Sequence, residues 1–160
     1  MVDRKKKNLV SQRSLDHGFH GAGGILRDQR GDVVGSFKCF LGVQSNYFAE
    51  FKALSKGILL AKQLNATWLW IESDSSAAIL AFQIHSIPWY ICEDWISCLS
   101  FLESISWKIT HCFREANVVV DNLARDAAKS GNSSCPASFL AHISSEIGFD
   151  ANSLPKFCFM

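Results

Sequence analysis

The spacing of hydrophobic and polar residues changes twice along the chain, and each change marks a new kind of predicted element. The region before residue 45 has the short alternations and glycine-rich turns of strands, and we expect three of them in an antiparallel meander. From residue 47 to 64 the period becomes helical, with a wide apolar stripe that predicts a helix lying across a sheet. That stripe consists of Phe51, Leu54, Ile58 and Ala61.

The second half of the chain predicts two more strands and three more helices. Residues 68–71 form a compact apolar run that is typical of a strand covered on both faces, and a helix is expected at about residues 75–85. A helix at about 93–104 precedes an alternating strand at 107–112, and the last helix is expected at 117–129. The inward residues of the helix at 93–104 are predicted to be Trp95, Ile96, Leu99 and Leu102.

The element order is therefore β-β-β-α-β-α-α-β-α. This order predicts an α/β fold with a mixed five-stranded sheet, three strands antiparallel and then two parallel, and helices on both faces. We expect residues 1–8 to be a basic lead, residues 9–131 to form the domain, and residues 132–160 to be a C-terminal tail.

Composition narrows the class of protein. The 160 residues are 48% hydrophobic, which suits one globular domain, and the formal net charge of +1 means that any binding of a polyanion has to be local. No apolar run reaches the roughly 18 residues that span a bilayer, so no membrane contact is expected. Six cysteines without a C-x-x-C pair or a secretory segment predict reduced thiols in an intracellular protein, nuclear or cytoplasmic and not secreted. A monomer is expected.

Three acidic residues occupy the predicted ends of elements. Glu50 falls near the start of the first helix, Asp74 follows the buried strand, and Asp121 lies in the first turns of the last helix. Each has an explanation of its own, because a carboxylate near a helix start caps it or gains from its dipole. Together they have the composition of a Mg²⁺ site, since hard cations take several carboxylate oxygens from different elements.

Four motifs follow in order along the chain. They are Gly-Gly-Ile-Leu-Arg-Asp at 23–28, Ala-Glu at 49–50, Ile-Glu-Ser-Asp-Ser at 71–75, and His-Cys-Phe-Arg-Glu-Ala-Asn at 111–117, which leads to Asp121. With these motifs the sequence resembles a ribonuclease H type 1 domain, in the plant form related to non-LTR retroelements. The resemblance extends over residues 9–131.

The resemblance implies a ribonuclease H-like fold and a Mg²⁺-dependent endonuclease that hydrolyses the RNA strand of an RNA–DNA hybrid. It implies that Glu50, Asp74 and Asp121 are catalytic and bind metal, with two Mg²⁺ ions if a fourth carboxylate is supplied. His111 resembles a histidine that helps the product to leave or moves a proton. Its alternative is a strand-end histidine that bonds to the backbone.

The functional hypotheses differ in whether a fourth carboxylate is present at the site. In the family an Asp ends the first strand, and the spacing from Gly24 places it near Ser11 and Gln12, neither of which is acidic. Asp16 is the nearest acid and would reach the site only through a shortened loop. The chain is accordingly either a hybrid-specific hydrolase or a catalytically impaired module, a retroelement remnant that still binds nucleic acid.

Five further residues match positions that contact nucleic acid in the family, namely Gly23, Gly24, Asn46, Arg114 and Asn117. The resemblance places the glycines and Asn46 against the minor groove and the 2′-hydroxyls of the RNA strand, the groups that distinguish RNA from DNA. Two alternatives stay open. The glycines also suit the close approach of another backbone, and Asn117 also suits the cap of the last helix.

Overall fold

The computed structural model describes the backbone of residues 5–14 and 18–133, and the side chains of residues 18–133 apart from Arg114. Within these residues, strands and helices follow in the predicted order. The strands are β1 (Lys5–Ser14), β2 (Phe19–Arg27), β3 (Val33–Val43), β4 (Trp68–Ser73) and β5 (Ser106–His111). The helices are α1 (Asn46–Gln63), α2 (Ser76–Gln83), α3 (Cys92–Glu103) and α4 (Val118–Ser130). Short 3-10 helices lie at Trp89–Ile91 and Arg114–Ala116.

The strands form one sheet in the order β3-β2-β1-β4-β5. The pairs β1–β2 and β2–β3 are antiparallel, whereas β1–β4 and β4–β5 are parallel. The predicted mixed α/β architecture is confirmed. Because β4 lies between β1 and β5, it is an interior strand of the sheet. Ligand sites of open α/β sheets gather just outside the carboxyl ends of such strands.

Helices cover both faces of the sheet, and alternation along β2 shows which helix covers which face. Ala22 and Leu26 pack in the main core with the apolar stripe of α1, whereas Ile25 packs with Val120 and Leu123 of α4. All four residues of the predicted α1 stripe are buried. We call these two sides of the sheet the α1 side and the α4 side.

Two predictions about the fold are wrong. β1 begins at Lys5, so residues 5–8 belong to the sheet rather than to a basic lead, because β2 and β4 flank this strand on both sides. Ile96 is 66% exposed instead of inward, since the buried positions of α3 are Trp95, Cys98, Phe101 and Leu102. Most of the predicted tail, residues 134–160, lies outside the described residues.

Two observations concern the cysteines and the helices of the described region. Cys39, Cys92, Cys98 and Cys112 are free thiols, and Cys135 and Cys158 lie outside the described residues. None of the helices in the part of the chain that the structure describes is both long and apolar enough to cross a membrane.

Candidate functional site

Asp74 lies directly after β4, at the carboxyl end of an interior strand. The cap of the following helix is Ser75, whose Oγ accepts the backbone N–H of Ala78 at 3.2 Å. The Oγ of Ser73 in turn accepts the N–H of Ser75 at 3.2 Å. Capping is therefore the role of Ser75, and the alternative in which Asp74 caps this helix is wrong. The Asp74 side chain is half-buried.

Glu50 projects from α1 towards the same end of β4. Ser45 caps α1 by accepting the N–H of Phe48, which places Glu50 near the start of the helix, just after its first turn. The Oγ of Ser75 donates to Oε2 of Glu50 at 2.5 Å. Because Ser75 is the residue after Asp74, this hydrogen bond fixes Glu50 beside the end of β4.

Asp121 reaches this end of the sheet through α4. It lies in the first turn of α4, is buried, and donates its backbone N–H to the carbonyl of Asn117 at 3.0 Å. Cys112 packs with Val120 in the cluster on the α4 side, and its N–H donates to the carbonyl of Ser73 at 3.0 Å. One hydrogen bond and one apolar cluster thus connect the start of α4 to the residue before Asp74.

The residues present do not fit a site for two Mg²⁺ ions. Among the described residues, no group of three or more His, Cys, Asp and Glu side chains is arranged to hold a metal ion. Glu50, Asp74 and Asp121 do not form such a group in this structure, and the hydroxyl of Ser75 donates a hydrogen bond to Oε2 of Glu50. Their assignment as metal ligands stays a prediction.

The sequence of β1 explains part of this misfit. Its ten residues, Lys5–Ser14, include no Asp or Glu. Val10 pairs with Ser73 of β4, so Ser11 is the next residue of β1 just as Asp74 is the next residue after β4. A hard divalent ion at this position gains no carboxylate from the central strand. Asp16 lies outside the described residues.

His111 ends β5 and is the register partner of Ser73. Its ring is exposed and meets the ring of Phe113 edge-on, with the centroids 5.7 Å apart. His111 is thus on the surface at the same end of the sheet as Asp74. The role predicted for it in product release or proton transfer stays a prediction.

The loop before α4 differs from what the sequence led us to expect. Asn117 is only 1% exposed and makes no side-chain capping hydrogen bond to α4. Its side chain lies inside the protein, and its predicted contact with nucleic acid stays a prediction. The side chain of Arg114 lies outside the description, and its contact with nucleic acid stays a prediction.

Gly23 and Gly24 are buried, and their predicted contact with RNA stays a prediction. A Cβ on Gly23 would lie 2.9 Å from the carbonyl oxygen of Val120 and 2.8 Å from Cβ of Leu123, which shows how closely α4 approaches β2. A Cβ on Gly24 would lie 2.2 Å from the ring of Phe37. The missing side chains admit another backbone and an aromatic ring, which is the alternative reading of the glycine-rich motif.

Asn46 is exposed at the start of α1, as a contact residue has to be. A buried histidine, His20, holds it: Nε2 of His20 lies 2.7 Å from Oδ1 of Asn46, and Nδ1 lies 3.0 Å from the carbonyl oxygen of Gly18. Sequence reasoning missed His20. Its partner is 26 residues away, and no local pattern relates the two.

An aromatic group beside Glu50 was also missed. Phe48 of α1 stacks on Tyr90 with centroids 6.1 Å apart, and Trp89 is 84% exposed. The pKa of Tyr47 is raised by partial burial and, to a smaller extent, by the nearby Tyr90 and Glu50. The surface next to Glu50 is therefore largely aromatic.

Comparison with known proteins identifies the family. The family model described as reverse transcriptase-like matches residues 12–127, which is more than half of the chain. No curated protein matches the sequence.

Solved structures share the fold. The RNase H1 of the archaeon Halobacterium salinarum NRC-1 is 20% identical, with a TM-score of 0.67 over 79% of this chain and 98% of that one. LC11-RNase H1 in complex with an RNA/DNA hybrid is 16% identical, with a TM-score of 0.69 over 79% and 98%. The foamy viral protease-reverse transcriptase in complex with dsDNA is 15% identical, with a TM-score of 0.58 over 80% and 95%. The chain belongs to the reverse transcriptase-like family and contains a ribonuclease H-like domain.

Proposed function

We propose that this domain binds nucleic acid, with RNA–DNA hybrid as the preferred ligand, and that it cleaves the hybrid slowly or not at all. The observation that carries the proposal is the absence of any carboxylate from β1, the strand that pairs with β4 up to Ser73. In the family that the chain resembles, two ions are held by four carboxylates. A strand without an acid leaves at most three, in a geometry that forms no metal-sized group among the described residues.

Binding rests on residues other than the acids. Asn46 is exposed near Glu50, and its amide is fixed by the buried His20. A fixed amide beside the carboxyl end of β4 suits hydrogen bonds to 2′-hydroxyl groups, which tell RNA from DNA. Solved relatives in complex with an RNA/DNA hybrid and with double-stranded DNA support the same class of ligand.

A second candidate, a Mg²⁺-dependent hydrolase of RNA in hybrids, is favoured by one observation. The hydrogen bond from Ser75 to Glu50 and the link from Cys112 to Ser73 direct all three predicted acids towards one end of the sheet. This candidate requires the fourth carboxylate to come from Asp16, outside the described residues.

Binding and cleavage assays on one labelled hybrid separate the candidates. We expect the wild-type chain to bind the hybrid more tightly than a DNA duplex of the same sequence, and to leave it uncut in Mg²⁺. Ser11→Asp restores a carboxylate next to the register position of Ser73, and we expect it to start Mg²⁺-dependent cleavage. Ser11→Asn is the matched control, because it adds similar volume without a charge.

Two results would contradict the proposal. A wild-type chain that cuts rapidly and loses this activity in Asp16→Asn would establish the hydrolase, with Asp16 as the fourth ligand. A wild-type chain that binds hybrid no better than DNA duplex would refute the preference for hybrid.

A further inference from the structure

One half of the sheet on the α4 side has no helix over it among the described residues. Leu69 and Ile71 of β4 pack in the core on the α1 side, so Trp68 and Trp70 alternate to the α4 side. Of the four α-helices, α4 lies on this side and packs on β1, β2 and β3, and the helices that pack on β5 are α2 and α3. Both of those belong to the core on the α1 side. Within residues 18–133, the β4–β5 part of the α4 side is consequently a sheet face without a helix over it.

A lysine and two tryptophans form this open face. Nζ of Lys108 lies 3.5 Å from the ring centroid of Trp70 and 5.8 Å from that of Trp68, which is the geometry of a cation–π contact. Nε1–H of Trp70 donates to Oγ1 of Thr110 at 2.8 Å, and this bond fixes the ring. Lys108 and Ser106 are exposed, and both tryptophans are half-buried. We call Trp68, Trp70, Ser106, Lys108 and Thr110 the lysine–tryptophan face.

Basic residues occupy neighbouring register positions in this part of the sheet. The register places Lys7 of β1, Trp70 of β4 and Lys108 of β5 in one row across three strands. Lys5 and Trp68 are partners in the row before it. These rows contain no acid, and Glu72 in the following row is buried. Lys108 is the cation of this face whose side chain the structure describes, and its register row also contains Lys7 of β1.

The chemistry of the face selects its ligand. A protein partner with an apolar surface would bind by covering the tryptophan rings. The ammonium group of Lys108 already lies over the ring of Trp70, so that ring is not a bare apolar surface. What faces solvent is a positive charge held in place by the ring below it, together with the hydroxyl of Ser106. A preordered cation next to hydroxyl donors matches the phosphodiester groups of a nucleic acid strand.

We propose that the lysine–tryptophan face is a second nucleic-acid contact, which binds the phosphate backbone away from the carboxyl ends of the strands. Trp70 is four residues before Asp74 on β4, which corresponds to about 13 Å at 3.3 Å per residue. A strand bound at the carboxyl end of β4 is therefore within two or three nucleotides of this face. The contact does not depend on cleavage or on a metal ion.

Lys108→Gln tests the contact, because it removes the charge and keeps most of the side-chain stem. Loss of one phosphate contact changes the slope of log Kd against log salt by about 0.9, which weakens binding about eightfold at 0.1 M salt relative to a 1 M reference. We expect this change for a labelled RNA–DNA hybrid, and we expect Lys108→Arg to restore it. Lys56→Gln is the matched control, since Lys56 is an exposed lysine of α1 on the other side of the sheet. It should leave the slope unchanged.

Acetylation of lysines in the full-length chain provides an independent measurement. We expect Lys108 to be acetylated in the free protein and protected when the hybrid is bound, and Lys56 to react equally in both states. A Lys108 that is unreactive in the free protein would overturn the proposal and would show that another part of the chain, such as residues 134–160, covers the face.

The binding data separate this inference from the proposed function. If the wild type binds the hybrid and Lys108→Gln matches Lys56→Gln in slope and Kd, the second contact is refuted and the proposed function stands. If Lys108→Arg binds as weakly as Lys108→Gln, charge is not what the face contributes, and the inference is also wrong. If the wild type binds neither hybrid nor single-stranded nucleic acid, both proposals are wrong.

Discussion

The hydroxyl group of Ser75 connects two helices at the candidate site. Its Oγ accepts the N–H of Ala78 at the start of α2 and donates to the carboxylate of Glu50 in α1. Ser75→Ala removes both hydrogen bonds and deletes no apolar contact. The substitution therefore measures how firmly Glu50 is fixed beside Asp74.

The two lost hydrogen bonds set the size of the effect. Replacing a serine cap by alanine costs about 1 kcal/mol. A hydrogen bond to a charged group contributes about 1.5–3 kcal/mol when buried, and we take about 1 kcal/mol here because the Glu50 side chain is half-exposed. The sum of about 2 kcal/mol corresponds to a fall in Tm of roughly 6–10 °C for a domain of this size.

Thermal unfolding followed by circular dichroism measures this fall. Ser75→Asn retains a capping oxygen and a donor, so it should lose less than half as much as Ser75→Ala. Ser76→Ala is the control, because Ser76 is exposed in the first turn of the same helix. A double-mutant cycle with Glu50→Ala should give a coupling of about 1 kcal/mol. A Tm for Ser75→Ala equal to that of Ser76→Ala, or a coupling near zero, would refute the reasoning.

Two further substitutions or modifications test the packing. Gly23→Ala should lower the free energy of unfolding by about 1–3 kcal/mol in urea, because the new Cβ meets the backbone of α4, and an unchanged midpoint would mean that α4 moves freely. Burial raises the pKa of the Cys98 thiol to about 12, so a thiol reagent at pH 8 should modify Cys98 only after unfolding, whereas the half-buried Cys39 should react in the native protein. Since the pKa of the thiol is about 9.0 in the unfolded chain and about 12 in the folded one, the contribution of Cys98 to stability is complete below pH 9.0 and is lost as the pH rises towards 12. Native reactivity of Cys98 equal to that of Cys39 would contradict both expectations.

Sequence patterns predicted elements wherever the information is local. The apolar stripe of α1 repeats within one helix, so its burial followed from spacing alone. The start of β1 was missed because Lys5–Lys7 have no strand pattern of their own. They pair with Trp68–Trp70 of β4, more than 60 residues away, and tertiary context decides the structure of such segments.

The residues of the candidate site could be predicted from the sequence, but the contacts between them could not. The order of motifs placed Glu50, Asp74 and Asp121 at one end of the sheet, but the hydroxyl of Ser75 that bonds to Glu50 has no signature beyond that of an ordinary cap. Glycines are ambiguous for a related reason, because the absence of a side chain suits a ligand and a neighbouring helix equally. At Gly23, the structure shows that α4 fills the space next to the glycine.

The packing contacts of α1 and α4 with the sheet do not involve the acids that are predicted to bind metal. α4 is seated on β2 by the absence of side chains at Gly21 and Gly23, and α1 by its apolar stripe, and neither contact involves a carboxylate. A carboxylate in β1 would add a negative charge next to the end of β4, where Asp74 lies, and like charges repel when no cation is present. A first strand without an acid avoids this repulsion and leaves the packing of α1 and α4 unchanged. Asn46 at the start of α1 and Lys108 on the lysine–tryptophan face are held by contacts of their own, and neither depends on an acid in β1.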